Sequence, residues 1–331
     1  MQTWHAKNKI SRTPSILAAL LLCALSASAA PKLPPETRNA ALRYWMAFAE
    51  MQDPPAGMET SQLLEKTAAG QVPWDEAKLG PVLDKNADAI QIMQRATRLP
   101  DCDWGLEYRR GPAASIAYAP RARVLARLNT LYGMRLASKG ETQSAVDAWL
   151  AGIRFSQDLA KGGTLIFVLI AKTALLSNLN ALTQAAQQGI LSSAEKAQVA
   201  SVVRALPETG FDWSRALALE QGAIEIAVEK IGKSANPAQD YRQLTGKSAP
   251  FDGTKLSASD AAAFAILMSS AEEALRLTPD QSAVRLPVLQ KSISALNPFY
   301  QELTPSLTKV NDTRQEIASE RQKLMGLLSN K

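Results

Sequence analysis

Residues that carry most enzymatic chemistry are scarce in this sequence. Its 331 residues include one histidine, His5, and two cysteines, Cys23 and Cys102. His5 and Cys23 lie within Met1–Ala30, a stretch that has the pattern of a cleaved secretory signal. The mature chain is therefore expected to contain no histidine and one thiol. Such a chain cannot form a Ser-His-Asp or Cys-His nucleophile system, a histidine-containing zinc site or an internal disulfide, and it has no imidazole general base.

Export is predicted by the same amino-terminal stretch. Basic residues are followed by an apolar run from Ile16 to Leu25 and by Ala27-Ser28-Ala29-Ala30, which offers an Ala-x-Ala cleavage site. We expect the mature protein in the periplasm or elsewhere in the cell envelope. Lipidation at Cys23 is one alternative, although Leu22 stands where a small residue is usual. An uncleaved membrane anchor is another.

The mature chain also lacks a strong charge of either sign. The full sequence has a formal net charge of +6, and the signal holds three basic and no acidic residues, which leaves +3. That excess is too small to indicate nucleic-acid binding. The sequence shows no motif for a cofactor or a metal.

Strand patterns are missing as well, because apolar and polar residues nowhere alternate with period two. Ala, Leu, Gln, Lys and Glu dominate, and all of them are good helix formers. We predict an all-α fold of antiparallel helical hairpins, a bundle resembling a tetratricopeptide (TPR) array or α-solenoid. Residues 31–233 are expected to form one helical domain. Residues 234–258 are expected to be a flexible loop, and 259–331 helices that pack on the same domain.

Three successive helices are predicted between Tyr118 and Gln188. In the first, an arc of small residues runs beside an arc of large apolar ones, which would let a neighbouring backbone come close. The third begins with an unbroken apolar run, Leu165–Ile170, and is expected to be the most buried helix. We do not expect it to cross a bilayer, since polar residues interrupt it at Lys172, Asn178 and Asn180.

The first two of these helices resemble a TPR unit. The pattern W-x2-L-G-x2-Y…A-x3-F lies over Asn129, Tyr132, Gly133, Leu136, Ala145 and Trp149, with Gly140 at the turn between the helices. Asn129 and Leu136 replace the expected Trp and Tyr. The sequence therefore predicts one degenerate TPR-like hairpin and not an array.

The carboxyl-terminal segment carries a coiled-coil-like 4-3 spacing of apolar residues. Two arginines, Arg314 and Arg321, occupy positions where apolar residues would be expected. We expect this helix to pack on one partner helix, either within the chain or across a dimer.

A compact turn is predicted at Cys102-Asp103-Trp104-Gly105. In this turn, Asp103 would cap backbone amides, Trp104 would fill the core and Gly105 would permit the turn. The carboxylates of Asp101 and Asp103 flank the thiol and should raise its pKa, which disfavours a nucleophilic role for Cys102.

Basic residues crowd the stretch that follows the turn. The candidate binding residues are Arg109, Arg110, Arg121, Arg123 and Arg127. Such a cluster would suit phospholipid head groups, cell-wall phosphates or an acidic protein. The alternative is a solvated face in which the arginines form ion pairs within the chain.

Arg135 and Glu220 are charged residues on predicted apolar faces. Burial would raise the pKa of Glu220 and would suit a general acid, so a carboxylate-dependent hydrolase or lyase is one alternative function. No second carboxylate or row of sugar-binding aromatic residues accompanies Glu220. A structural pairing of Glu220 with Arg135 or another arginine is therefore the preferred interpretation.

Several of these motifs together resemble a family of exported bacterial all-helical proteins. The similarity rests on the Cys102–Gly105 turn, Ala126-Arg127-Leu128, Gly140 with Ala145, Gly163–Ile166, Asn39-Ala40-Ala41 and Asn297-Pro298-Phe299. The resemblance implies a helical fold and supplies no catalytic residues. We expect a non-enzymatic exported scaffold that binds another protein or a second copy of itself.

Overall fold

Every regular element in the described part of the chain is helical. The structure, a computed structural model, describes residues 36–52, 58–113, 118–246, 248 and 257–329. Within these ranges there is no β-strand, and one isolated bridge joins Asn39 to Asp101. The all-α prediction is thereby confirmed. The predicted signal, Met1–Ala30, lies outside the described residues.

Helices make up most of the described ranges. In chain order they are α1 (Ala40–Glu50), α2 (Met58–Ala68), α3 (Glu76–Lys85), α4 (Ala87–Ala96), α5 (Ala119–Ser138), α6 (Thr142–Ala160), α7 (Leu165–Gln187), α8 (Ser193–Ala205), α9 (Trp213–Gly232), α10 (Pro237–Thr245), α11 (Ala258–Leu275), α12 (Pro279–Ser292), α13 (Pro298–Leu303) and α14 (Leu307–Ser329). Two 3-10 helices, Tyr108–Ala113 and Ile293–Ala295, lie before α5 and after α12.

Side chains at the helix starts satisfy the first backbone N–H groups, which have no partner within a helix. Asn39 accepts a hydrogen bond from the Ala41 N–H at the start of α1. Ser192 forms a reciprocal capping box with Glu195 at the start of α8. The N-cap residues of α4, α5, α6 and α7 form no such side-chain bond, and at α7 that residue is Thr164.

Helix α7 is the central element, and it packs against α5, α6, α9 and α14. Its length and composition would allow it to cross a membrane, a test that no other helix in the described ranges passes. In the fold, however, 67% of its most apolar stretch is buried against the rest of the chain. The sequence correctly predicted that it is largely buried, but α6 is buried to the same degree, with 12 of 19 residues buried against 14 of 23 in α7.

Glycines allow α5, α6 and α7 to approach one another closely. A Cβ atom at Gly133 of α5 would lie 2.3 Å from Nε1 of Trp149 on α6. A Cβ atom at Gly152 of α6 would lie 2.4 Å from Nδ2 of Asn178 on α7. Gly140, with φ of 79°, turns the chain between α5 and α6. A helical hairpin of α5 and α6 is present, whereas its likeness to a TPR unit and a TPR-like arrangement of the whole chain stay predictions.

Buried polar side chains join the same three helices. Asn129 Nδ2 donates to the Ala148 carbonyl at 2.8 Å, and Trp149 Nε1 donates to the Thr130 carbonyl at 3.1 Å. The Thr130 hydroxyl lies 3.3 Å from Asn178 Oδ1. Because every bond has a defined donor and acceptor, a shift of one helix along another would leave buried polar groups unpaired.

The segment predicted as a flexible loop, 234–258, contains helix α10. Asn236 caps this helix, Pro237 begins it, and Gly246, with φ of 71°, ends it. Tyr241 is buried against Phe299, with ring centroids 5.2 Å apart. The loop prediction was therefore wrong for residues 237–245, because one aromatic residue anchors an otherwise polar helix. Residues 249–256 lie outside the described ranges.

Helix α14 packs within the chain against α7, α8 and α12 rather than on a single helix. Arg314, 1% exposed, donates to the Leu275 and Leu277 carbonyls at 3.0 Å each. Arg321 donates to the Val203 carbonyl at 3.1 Å. These carbonyls lie at or just beyond the carboxyl ends of α11 and α8, where carbonyl groups lose their regular helical donors; the Val203 carbonyl also accepts from the Leu206 N–H at 3.3 Å. Burial lowers the pKa of Arg314.

The contact between Gly152 and Asn178 predicts a large effect of one methyl group. Gly152→Ala should lower the free energy of unfolding by about 1–3 kcal/mol, because the Cβ atom has no room between α6 and α7. The matched control is Gly326→Ala in α14, where nothing lies within 4 Å of the added Cβ. That variant should gain about 0.5–1 kcal/mol from higher helix propensity. Urea denaturation followed by circular dichroism measures both, and equal stabilities of the two variants would contradict the packing described.

Candidate binding sites

The Cys102–Gly105 turn is a structural anchor. Trp104 is buried, donates through Nε1 to the Asp158 carbonyl at 2.8 Å and stacks on Tyr118 with ring centroids 4.2 Å apart. Asp103 Oδ1 accepts from the Gly105 N–H at 2.9 Å, and Gly105 has φ of 64°. The contacts agree with the structural roles predicted for Asp103, Trp104 and Gly105.

Asp158 lies beneath this turn and is not among the site residues predicted from the sequence. Its Oδ2 accepts from the Tyr44 hydroxyl at 2.6 Å, and its Oδ1 pairs with Lys161 at 2.7 Å. Burial, followed by the charge of Asp158, raises the pKa of Tyr44 well above its usual value. A carboxylate amid the apolar residues of α6 was the available sequence signal, but its partner on α1 is distant in sequence.

Cys102 is partly buried beside the same carboxylate. Burial raises the pKa of its thiol to about 12, with a further contribution from Asp158 that exceeds that of Asp103. The predicted direction of the shift agrees with the structure, but desolvation and Asp158 account for most of it.

The arginines of the predicted cluster do not converge on one site. Arg121 donates to the Phe48 carbonyl at 2.7 Å, at the end of α1. Arg127 pairs with Glu65 of α2 at 3.4 Å. Both side chains therefore fasten amino-terminal helices to α5, and Arg123 is exposed.

Two members of the cluster lie on the 3-10 helix that precedes α5. Arg110 pairs with Glu107 at 3.0 Å. Arg109 has no ion-pair partner among the described residues and lies on the wall of a cavity. Arg109 is thus the member of the cluster that remains available for a ligand at that cavity.

The predicted pairing of Glu220 with Arg135 is wrong. Arg135 instead joins Glu76 and Asp84 of α3, each at 2.5 Å. Its guanidinium lowers the pKa of both carboxyl groups. The partner that an arginine on an apolar face requires is present, but it is supplied by a helix distant in sequence.

Glu220 serves as the cap of α7. Its Oε2 accepts from the Leu165 N–H at 3.2 Å. Burial raises the pKa of Glu220, and hydrogen bonding with Leu165 and Thr164 opposes that shift. A carboxylate is favoured at a helix amino end by the unpaired N–H groups there. This explains how Glu220 is accommodated on a largely apolar helix without a cationic side chain.

A cavity of about 380 Å³ adjoins Glu220. We call it the α9 cavity, and its walls come from the 3-10 helix, the start of α7 and one face of α9. Its lining comprises Leu106, Tyr108, Arg109, Gly111, Thr164, Ile166, Phe167, Ala218, Leu219, Glu220, Gly222, Ala223 and Ile226. Glu220 is the one carboxylate in that lining.

Gly111 brings the 3-10 helix against α9 at the edge of this cavity. Its φ is 58°, and a Cβ atom there would lie 2.9 Å from the Ala223 carbonyl oxygen. A second cavity of about 320 Å³, lined by Arg110, shares only Ile226 with the first. The two cavities are therefore treated as separate sites.

The most exposed large apolar side chains of the described residues lie on α11 and α12, two helices that pack against each other. These are Ile266 on α11 and Val284 and Val288 on α12, which are 68%, 73% and 63% exposed. Around Ile266, α11 has no charged residue from Ala261 to Ala271. We refer to the exposed sides of these two helices, with Ile266, Val284 and Val288, as the α11–α12 face.

Among the described residues, no group of three or more Cys, Asp or Glu side chains is placed to hold a metal ion. Comparison of the chain with protein-family models, with curated proteins and with solved structures finds no match. The function must therefore be inferred from the residues of this chain.

The position of Cys102 predicts an unreactive thiol. In a chain that begins at Pro31, Cys102 is the single cysteine, and its pKa of about 12 compares with an ordinary value of 9.0. At pH 8 the native protein should react with iodoacetamide about a thousandfold more slowly than the urea-unfolded chain, because the thiolate is the nucleophile. Asp158→Asn should accelerate labelling, whereas Asp101→Asn should not. Rapid labelling of the native chain would contradict this account.

The site of Glu220 predicts a pH-dependent effect of Glu220→Gln. The amide oxygen can still accept from Leu165, and a neutral group avoids the desolvation that raises the pKa. The desolvation penalty on the wild-type free energy of unfolding is absent below the ordinary pKa of 4.5, grows as pH rises from there to the raised pKa of the folded state, and is complete above it. The variant should therefore gain stability relative to wild type between pH 4 and pH 8, as measured by urea denaturation. Marked destabilisation at pH 8 would contradict a net desolvation penalty on the charged form of Glu220.

Proposed function

We propose that this protein is an exported, non-catalytic helical scaffold that binds another protein, either a second copy of itself or a different chain of the cell envelope. The observation that carries the proposal is the α11–α12 face. Large aliphatic side chains exposed together on a folded surface are typical of protein interaction sites. The secretory pattern of Met1–Ala30 supports the proposed location.

The surroundings of Glu220 favour the same proposal over a carboxylate-dependent enzyme. In the described chain, the best candidate acid, Glu220, is hydrogen-bonded at the start of α7 and has no second carboxylate beside it in the α9 cavity. A glycosidase-like mechanism requires two carboxyl groups that face the reacting bond. A hydrolase or lyase centred on Glu220 is therefore the weaker alternative.

Charge on the α11–α12 face should abolish the proposed interaction. Ile266→Glu and Val284→Glu place carboxylates on an exposed apolar surface and should not disturb the core. The matched control is Leu42→Glu on α1, at a side chain that is 54% exposed. Sedimentation equilibrium would detect self-association, and capture from envelope extracts followed by binding of the purified partner would detect a different chain.

Loss of association in the α11–α12 variants, with the Leu42 variant unaffected, is the expected result. A wild-type protein that stays strictly monomeric and captures no partner would overturn the proposal. Equal loss in all three variants would show that this face is not the interface.

A further inference from the structure

The walls of the α9 cavity are mainly apolar. Large aliphatic and aromatic side chains from three parts of the chain form them: Leu106, Ile166, Phe167, Leu219 and Ile226. Its volume of about 380 Å³ falls in the range of cavities that hold small ligands. Because an α-helix with its side chains is about 10 Å across, a cavity of this volume suits a short hydrocarbon chain better than a helix of another protein.

The available charge at this cavity is positive. Arg109 is exposed, lines the cavity and has no ion-pair partner among the described residues, whereas Arg110 beside it is paired with Glu107. Glu220, the acid in the lining, is already engaged by the Leu165 N–H. A ligand cation would meet both Arg109 and the positive end of the α7 dipole. A ligand anion has a free guanidinium with which to form charge-assisted hydrogen bonds.

We propose that the α9 cavity binds a single-chain amphiphile with an anionic head group. The hydrocarbon chain lies against Ile166, Leu219 and the other apolar walls, and the head group is held at the rim by Arg109. Carboxylate is the head group that we commit to, as in a medium-chain fatty acid. This site is separate from the α11–α12 face, so either proposal can fail without the other.

The test uses three octyl compounds that differ only in the head group: octanoate, octylamine and octanol. Binding to the mature chain is measured by isothermal titration calorimetry below the micelle concentration of each compound. Octanoate should bind at least about tenfold more tightly than the other two, since they lack the charge-assisted bond to Arg109.

Two pairs of variants test the location. Ile166 and Leu169 lie on α7 and are 44% and 43% exposed, but only Ile166 lines the cavity. Ile166→Asp should abolish octanoate binding, and Leu169→Asp should not change it. Arg109→Gln should weaken binding about tenfold through loss of the charged donor, and Arg110→Gln should leave it unchanged.

Each outcome decides the proposal. Failure of octanoate to bind, binding of octylamine as tight as that of octanoate, or an equal effect of the two members of either pair would overturn it. Circular dichroism and thermal unfolding of every variant establish that it is folded. If Ile166→Asp does not fold, Leu219→Asn takes its place as the wall variant.

Discussion

The close packing of α6 between α5 and α7 is the contact on which the rest of the structure depends. The indole of Trp149 packs directly against Gly133, and the side-chain amide of Asn178 packs directly against Gly152. Apolar packing supplies most of the stabilisation of such a core. The buried hydrogen bonds select one register, because a displaced helix would leave its amides and carbonyls unpaired without water. Helices α1–α4, α8, α9 and α14 each pack directly on one or more of these three.

Arginine side chains bound to the carboxyl ends of other helices form a second recurrent feature. Arg121 reaches the end of α1, Arg314 the end of α11 and Arg321 the end of α8. A guanidinium offers several donors where a helix leaves carbonyls unpaired, and its charge is favoured there by the helix dipole. At the amino end of α7, the carboxylate of Glu220 instead accepts a hydrogen bond from a backbone N–H group. Charged residues on apolar faces thus stabilise helix ends in this fold.

These contacts within the chain also explain why the predicted arginine cluster does not form one large binding site. Once Arg121, Arg127 and Arg135 are engaged within the chain, the basic stretch no longer presents a continuous cationic surface. Arg109 lies beside an apolar cavity. Elsewhere, the aliphatic side chains of the α11–α12 face are exposed to solvent. The two functional proposals depend on Arg109 and on these exposed aliphatic side chains.

The sequence alone determined the helical class, the three central helices and the structural role of the Trp104 turn. Helix periodicity, small-residue arcs and capping residues act over a few positions, so their effects can be read locally. Local signals of the same kind are present in the segment predicted to be a loop, where Asn236 and Pro237 begin α10 and Gly246 ends it. Only the tertiary structure decided the partners of Arg135, Glu220 and Asp158, since α3, α7 and α1 supply them from distant positions. Which charges remain free for a ligand follows from that pairing, because a cation or an acid already engaged within the fold is no longer available to a ligand.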